Sequence, residues 1–275
     1  MPQRTIDTHT NDLLAHVEDG VAVLTMNRPE RRNALSAAML EALAKTLADC
    51  ETASDVGAVL LTGAGGAFCA GGDVKGMAEA NAGVAPLDID SRIHRQRLSQ
   101  RATAGRLYDM PKPTIAALPG AAAGAGLSLA LACDLRIAAE NAVMTTAFAK
   151  VGFSGDYGGT YFLTRLVGAA KARELYFLSD KVEMPEALTL GLVNRVVPAA
   201  NLMQETLALA KRLASGPRVA YRYMKENLNR ASTGATMTDC LDLEATHHIH
   251  CATTEDHREA AKAFVEKRTP KFVGR

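Results

Sequence analysis

Phe68-Cys69-Ala70-Gly71-Gly72-Asp73-Val74 follows the apolar run Ala58-Val59-Leu60-Leu61-Thr62-Gly63. The run reads as a strand buried on both faces, and a strand that empties into small residues leaves a loop with bare backbone N–H groups. Further along the chain the design recurs: Thr114-Ile115-Ala116-Ala117-Leu118-Pro119, then Gly120-Ala121-Ala122-Ala123-Gly124-Ala125-Gly126, then an apolar helix. Two such loops can aim two backbone amides at one oxygen, which is how negative charge developing on a carbonyl is stabilised. Either loop alone would be no more than a tight turn; the pair points to chemistry.

The chain has 275 residues, 48% hydrophobic and 22% charged, with a formal net charge of +1. This length admits one large domain or two small ones with a core of useful size, and the balance is that of a soluble globular protein. A near-zero charge argues against a nucleic-acid binder driven by bulk electrostatics. The Arg92 to Arg101 cluster reads as a solvated helix face, while the tail cluster Lys267, Arg268, Lys271 and Arg275 is open to either reading. The five cysteines have no paired spacing, which suggests reduced thiols in a cytoplasmic protein rather than a disulfide framework or a zinc site. Met1 to Gly20 is charged throughout and reads as neither secretory signal nor membrane segment. Ala116 to Ala132 is long and apolar, but Pro119 and the glycines make it a buried strand, loop and helix.

Outward from the two loops, Val21 to Met26 reads as a strand, Ser36 as a helix N-cap, and Leu40, Leu43, Leu47 and Cys50 as one helix face. Glu79 to Asp88 is a polar excursion, with Ala78, Ala80 and Gly83 as small residues over the substrate end. Arg92 to Tyr108 is predicted helical, stopped by Pro111 and Pro113. Leu135–Ala139 and Val143–Thr145 are predicted strands, so strands alternate with helices in an α/β fold. From Gly158 the reading turns helical, with one strand at Val193 to Val197, a break at Gly216-Pro217 and a last helix ended by Pro270. A boundary near Ala199 divides an α/β core, residues 1–199, from a helical C-terminal region, residues 200–275.

The chain resembles the enoyl-CoA hydratase/isomerase (crotonase) family over nearly its whole length. The resemblance is carried by Val23 to Pro29 with Arg32-Asn33-Ala34-Leu35, Phe68 to Asp73, Ala132 to Ala138, Gly158-Gly159-Thr160, Ala187 to Val193 and Phe264 to Phe272, all in order. It implies a ClpP/crotonase-like spiral of β-β-α units and C-terminal helices that support a homotrimer or homohexamer. It also implies an acyl-CoA substrate whose thioester enolate is held by two peptide N–H groups. By position these belong to Gly72 and Ala125; the family more often has Gly at the second place, and Ala fits there only with a negative φ. Arg28, Ala70, Gly72 and Asp73 are the implied contacts to the CoA, Asp73 more as an ordering group of its own loop. Lys267 and Phe272, or their copies from a neighbouring subunit, are the implied contacts to its phosphates and adenine. No metal and no cofactor beyond the coenzyme A of the substrate is expected, nor any nucleic-acid or membrane partner.

The acid/base residue departs from the family pattern. Two-carboxylate hydratases of the family carry glutamates where this chain has Ser128 and Phe148, and neither can activate a water. One carboxylate remains, Asp156, just before Gly158-Gly159-Thr160, in a stretch most like the single-acid isomerases of enoyl-, epoxy- or ring-acyl-CoA. One carboxylate suffices for a 1,3-proton shift, as base and then acid. Burial between Phe148, Phe153 and Tyr157 is expected to raise its pKa, and helix capping is its competing role. Isomerase is therefore the expected activity, with hydratase and a non-catalytic acyl-CoA-binding relative as alternatives.

Other signals are weaker. Gly126-Leu127-Ser128-Leu129-Ala130 lacks the last Gly of a nucleophile elbow, although Ser128, Asp156 or Asp180, and His247 or His257 follow a hydrolase order. Glu244, His247 and His248 are predicted to share a helix face where a metal is conceivable, though surface or subunit contact is the commoner fate of such a cluster. A dehalogenase-type nucleophile at Asp156 lacks its companions, since the chain has no Trp and no His between His94 and His247. No dinucleotide or P-loop fingerprint is present.

Overall fold

The computed structural model describes residues 3–73, 76 and 88–275. Its frame is a sheet of seven strands: β1 (Arg4–Ile6), β2 (Leu13–Glu18), β3 (Val21–Met26), β4 (Ala58–Gly63), β5 (Thr114–Leu118), β7 (Leu135–Ala139) and β10 (Arg195–Val197), in that spatial order. β1, β2 and β3 pair antiparallel, and β3, β4, β5, β7 and β10 run parallel. A second, smaller sheet joins β6 (Ala122–Ala123), β8 (Val143–Thr145) and β9 (Val182–Glu183), and Cys69 extends it by an isolated parallel bridge to Ala122.

The chain climbs through both sheets in turns of a spiral. β5 leads to β6 and then to α4 (Ala125–Ala132), and β7 leads to β8 and then to α5 (Gly159–Leu178). The earlier turns follow the same plan with single bridging residues: β3, then Leu35 paired to Gly72, then α1 (Ala37–Thr52); β4, then Cys69, then α2 (Ile89–Gln100). This is the crotonase spiral expected from the resemblance.

The central parallel strands are almost continuously apolar because both faces are covered. Ala22, Leu24, Val59, Leu61, Ala116 and Leu118 enter one core with Met39, Leu43 and Leu47 of α1 and Leu129 of α4. The alternate residues Val21, Val23, Ala58, Leu60, Ile115 and Ala117 enter a second core, covered by Leu202, Ala210 and Ala214 of α7 (Leu202–Ala214). α7 thus lies on the sheet immediately beyond the expected boundary at Ala199. α6 (Met184–Thr189) precedes β10, and α8 (Arg218–Ser232), α9 (Met237–Ala252) and α10 (Glu255–Val265) complete the chain.

Local expectations meet the structure with a few corrections. Ser36 caps α1 by accepting from the Met39 N–H at 3.0 Å. The helix expected from Arg92 begins earlier, at Ile89, because the Asp88 carboxylate caps it through the Ser91 N–H. It does not run evenly to Tyr108: a π-helical turn, Arg101–Gly105, separates α2 from α3 (Arg106–Asp109). Strand β10 is shorter than expected, and β9 has no counterpart in the sequence reading. The last helix stops at Val265, before Pro270 acts, through bonds from Glu266 N–H to Lys262 and from Arg268 N–H to Ala263. The excursion at 79–87, with Ala78, Ala80 and Gly83, lies outside the described residues. Among the described residues no helix is long and apolar enough to cross a membrane.

Candidate active site

The two small-residue loops meet at the top of the spiral. The N–H groups of Phe68 and Cys69 both donate to the Ala121 carbonyl at 3.1 Å, and Ala123 N–H donates to the Cys69 carbonyl at 2.9 Å. On the other side, Leu35 N–H donates to the Gly71 carbonyl at 2.8 Å and Ala70 N–H to Arg32 at 2.9 Å. The first loop is therefore pinned from both flanks. A Cβ on Gly71 would lie 2.9 Å from the Ala123 carbonyl oxygen and 3.3 Å from the Ala125 nitrogen, so no side chain fits between the loops. Gly124 takes φ 52 and ψ −127, a region open essentially to glycine alone. Ala125 itself is outside the left-handed region, so the alanine is tolerated where the family more often has glycine. Among the described residues, neither the Gly72 nor the Ala125 N–H has a hydrogen-bond partner in the protein. The Ala125 N–H is the first of α4, where the helix adds roughly half a positive charge.

Asp156 sits in a turn held under backbone strain. Gly155, Tyr157 and Gly158 have φ of 114, 49 and 76. For a residue as bulky as Tyr157 the left-handed region costs about 1–2 kcal/mol, so its surroundings must hold it. The Tyr157 N–H donates to the Gln100 side-chain oxygen at 2.6 Å, its hydroxyl pairs with Ser99 Oγ at 3.2 Å, and the residue is buried.

The Asp156 carboxylate does not cap α5. The N-cap is Gly158, without a side-chain bond, and only the main-chain carbonyl of Asp156 accepts, from Gly159 N–H at 3.0 Å. Its Oδ1 is buried and has no hydrogen-bond partner. Desolvation pushes the carboxyl pKa up to about 6, from an ordinary 3.8. Its charge in turn disfavours ionisation of Tyr157 and Tyr176, whose pKa values burial has already raised, and of the Cys69 thiol, pushed up to about 12 chiefly by burial. Asp156 thus lies close enough to the first loop for its charge to act on Cys69. The aromatic setting differs from expectation in one respect: Phe153 is 57% exposed and does not bury the carboxylate. Tyr176 of α5, stacked on Phe148 with ring centroids 5.8 Å apart, lies instead against the neighbouring Gly155, where a Cβ would stand 3.0 Å from its ring.

Residues 16–275 match the family model for enoyl-CoA hydratase/isomerase. The chain belongs to the enoyl-CoA hydratase/isomerase family. It is 38% identical to a 1,2-epoxyphenylacetyl-CoA isomerase of Escherichia coli over 96% of this chain and 98% of that one. It is 36% identical to a short-chain-enoyl-CoA hydratase of Clostridium acetobutylicum, over 94% and 96% respectively. Among solved structures, an enoyl-CoA hydratase from Polaromonas sp. JS666 superposes with a TM-score of 0.87 at 33% identity, covering 94% of this chain and 99% of that one. The fold is the crotonase fold of that family, and the chain is an acyl-CoA enzyme of the hydratase/isomerase kind.

The other residues suggested by the family likeness are placed as follows. Ala70 is exposed at the rim of the first loop. Arg28 is spent within the chain, donating to the Ala34 carbonyl at 2.8 Å and to Asp73 at 2.9 Å. Asp73 also accepts from Gly76 N–H, and these two partners, Gly76 first, hold its carboxyl below the usual aspartate range. The pair orders the first loop. Lys267 is exposed just beyond α10, and Phe272 is half-buried in a terminal arm held by Asp256, which accepts from the N–H groups of Val273 and Gly274. Among the described residues no hydrogen bond joins Lys267 or Phe272 to the paired loops.

Ser128 is buried, and its hydroxyl donates to the Gly124 carbonyl at 3.3 Å, one helical turn back. The hydrolase constellation is not assembled. His247 stacks on Tyr223 and binds Asn227 through Nδ1 at 2.6 Å, with Glu226 3.4 Å from Nε2, while Asp180 and His257 are exposed. The predicted shared face of Glu244, His247 and His248 is corrected in the same way: His247 is buried, whereas Glu244 and His248 face solvent. Among the described residues no three His, Cys, Asp or Glu side chains converge to hold a metal.

Sequence reading missed three residues around the carboxylate: Ser99, Gln100 and Tyr176. Nothing in the local pattern of α2 marks Ser99 or Gln100. The stretch Leu175-Tyr176-Phe177 reads as ordinary helix, and only the approach of Gly159 to Tyr176 distinguishes it. A Cβ on Gly159 would lie 2.5 Å from the Tyr176 hydroxyl and 2.4 Å from Ser128 Oγ.

Proposed function

We propose that the protein is an acyl-CoA isomerase that moves a double bond, or opens a ring-derived equivalent, through a thioester dienolate. The observation that supports this most directly is the Asp156 carboxylate: half-buried, free of capping and raised to about 6. A base poised near neutral pH takes a proton efficiently and gives it back. The carboxylate removes a proton from the α carbon of a 3-enoyl thioester. The N–H groups of Gly72 and Ala125 hold the oxygen as it becomes anionic, and Asp156, now the acid, protonates the γ carbon to give the 2-enoyl product. Losing one such donor costs about 2.7–4 kcal/mol of transition-state stabilisation.

Hydration needs a second group to hold and activate water. In the places of the two hydratase glutamates stand Ser128, bonded to its own helix, and Phe148, stacked on Tyr176. The epoxyphenylacetyl-CoA isomerase name of one relative favours a ring-derived acyl group among the isomerase substrates. The shift of a proton by one carboxylate calls for no metal or redox cofactor; coenzyme A enters as part of the substrate. Exposed apolar residues on the C-terminal helices, among them Met224, Leu228, Ile249 and Phe264, support a homotrimer or homohexamer, which light scattering would weigh directly.

The test is a paired assay of the wild type and Asp156→Asn on a 3-enoyl-CoA and a 2-enoyl-CoA in D2O. Isomerisation with deuterium entering the α and γ carbons, both abolished in the Asn variant, is the expected result. Hydration of the 2-enoyl-CoA that survives in the Asn variant would overturn the assignment, and acyl-CoA binding with no turnover at all would favour a non-catalytic relative.

A further inference from the structure

Asp156 depends on a neighbour that is remote in sequence. Gln100 is the last residue of α2, where the helix widens into the π-helical turn Arg101–Gly105. Such turns insert a residue and re-aim the side chains beside them. Here two consecutive residues, which an even helix would point in directions about 100° apart, both reach Tyr157: Ser99 by its hydroxyl and Gln100 by its side-chain oxygen. The buried Thr103 hydroxyl donates to the Ser99 carbonyl at 2.8 Å. The Gln100 bond lands on the N–H of the peptide joining Asp156 to Tyr157. That peptide enters a residue in the left-handed region, where a bulky side chain stays only if something holds it.

We propose that Gln100 is a positioning residue for the proton shuttle: through its bond to the Tyr157 N–H it fixes the strained turn that keeps the Asp156 carboxylate aimed inward and away from water. The inference rests on the reading of Asp156 as the group that carries the proton. Gln100 touches no reacting atom; it acts by holding the peptide that carries the carboxylate. Among the described residues, the titratable groups whose ionisation the Asp156 charge disfavours are Cys69 from the first loop, its neighbour Tyr157, and Tyr176 from α5, all of which stay neutral over the working pH range. The acid limb of the pH profile therefore reports on Asp156 and on how well its turn is held.

Two variants separate positioning from simple structural support. Gln100→Ala removes the acceptor. The expected result is a kcat lower by about 10- to 100-fold with KM nearly unchanged, as for a reacting group displaced by an ångström or less, and an acid limb moved to lower pH because the carboxyl becomes better hydrated. Gln100→Glu keeps an acceptor for the Tyr157 N–H and adds negative charge. It is expected to recover most of the kcat above pH 7 and to move the acid limb to higher pH. Equal kcat and an unmoved limb in both variants would overturn the proposal. So would activity lost in proportion to folded protein alone, measured by circular dichroism, with the limb in place.

A substrate-free readout keeps this test apart from the isomerase assignment. The Asp156 carboxyl is titrated by carbon-13 NMR in wild type, Gln100→Ala and Gln100→Glu, with Asp156→Asn to identify its signal. The midpoint should fall in the Ala variant and rise in the Glu variant whatever reaction the enzyme performs. One common midpoint in all three proteins would refute the positioning role even if isomerisation is confirmed. Shifted midpoints in an enzyme that does not isomerise would leave the positioning of Asp156 standing and remove only its role as proton carrier.

Discussion

The loop pair around Gly72 and Ala125 presents main-chain groups, whereas the turn at Asp156 presents a side chain, and the two are held by different means. The loops sit at the ends of sheet strands and are tied by backbone bonds to their immediate neighbours, Ala121, Ala123, Arg32 and Leu35. Their geometry follows from strand pairing and from glycines that admit the close approach. The Asp156 turn carries three positive φ values in four residues, and side chains from a helix more than fifty positions away hold it. A backbone donor is set once the sheet forms. A carboxylate of useful pKa needs a particular degree of dryness, and several distant elements must agree to supply it.

The sharpest way to break that contrast is to disable each half in turn. Asp156→Asn keeps the shape and removes the charge; isomerisation is expected to fall by about 10²–10⁴-fold, the usual contribution of a positioned acid/base group, with CoA-product binding retained by calorimetry. A smaller loss would mean that another group carries protons. Next comes Gly124→Ala. The new methyl has room, its nearest neighbour being Phe148 at 3.7 Å, so the damage is to φ alone. Turning the Ala125 N–H away should lower kcat by about 10²–10³-fold. Full activity in this variant would remove Ala125 from the oxyanion role.

Gly159→Ala probes the junction where α4 and α5 meet beneath the site. The methyl would press on both Ser128 Oγ and the Tyr176 hydroxyl. Overpacking there should destabilise the fold by about 1–3 kcal/mol in urea melts, with the Asp156 acid limb displaced; an unchanged melt would mean that the two helix ends are loosely packed.

The smallest effect concerns stability and pH. A carboxyl whose folded pKa lies above its unfolded value costs the fold nothing when both states are protonated. It costs increasingly as pH rises from the unfolded value of 3.8, and the full amount above about 6. After discounting for its partial exposure to solvent, the cost is about 1–2 kcal/mol. Asp156→Asn should therefore be more stable than wild type at pH 8 by about that amount, and the advantage should vanish below the unfolded pKa. Equal melting curves at pH 8 would show that the carboxylate is solvated and undercut the comparison between the two halves. The pH–kcat profile of the wild type should lose activity as pH falls through about 6.

How much of this was legible depends on how far apart the cooperating residues lie. Ala58–Gly63 and Thr114–Leu118 announced buried parallel strands by continuous apolar character, and Ser36 announced a helix start; each signal sits within the element it specifies. Small residues after a strand marked the two loops directly, and the family resemblance singled out Gly72 and Ala125 within them as candidates. Asp156 could be named as a candidate, but not its state. The sequence suggested burial by Phe153, which is exposed, and left open a capping role that the carboxylate does not take.

By itself, then, the sequence determined the alternation of strands and helices and the two small-residue loops, because those depend on local backbone preference and on patterns of apolar residues; its resemblance to the family implied the spiral and put forward Gly72, Ala125 and Asp156 as candidate site residues. Only the tertiary structure decided that Gln100 and Ser99 hold Tyr157 beside Asp156, that Phe148 stacks on Tyr176, that the Asp156 Oδ1 goes without a partner, and that its pKa is lifted toward neutrality. Desolvation is a property of what surrounds a group in space, and no spacing along the chain encodes it.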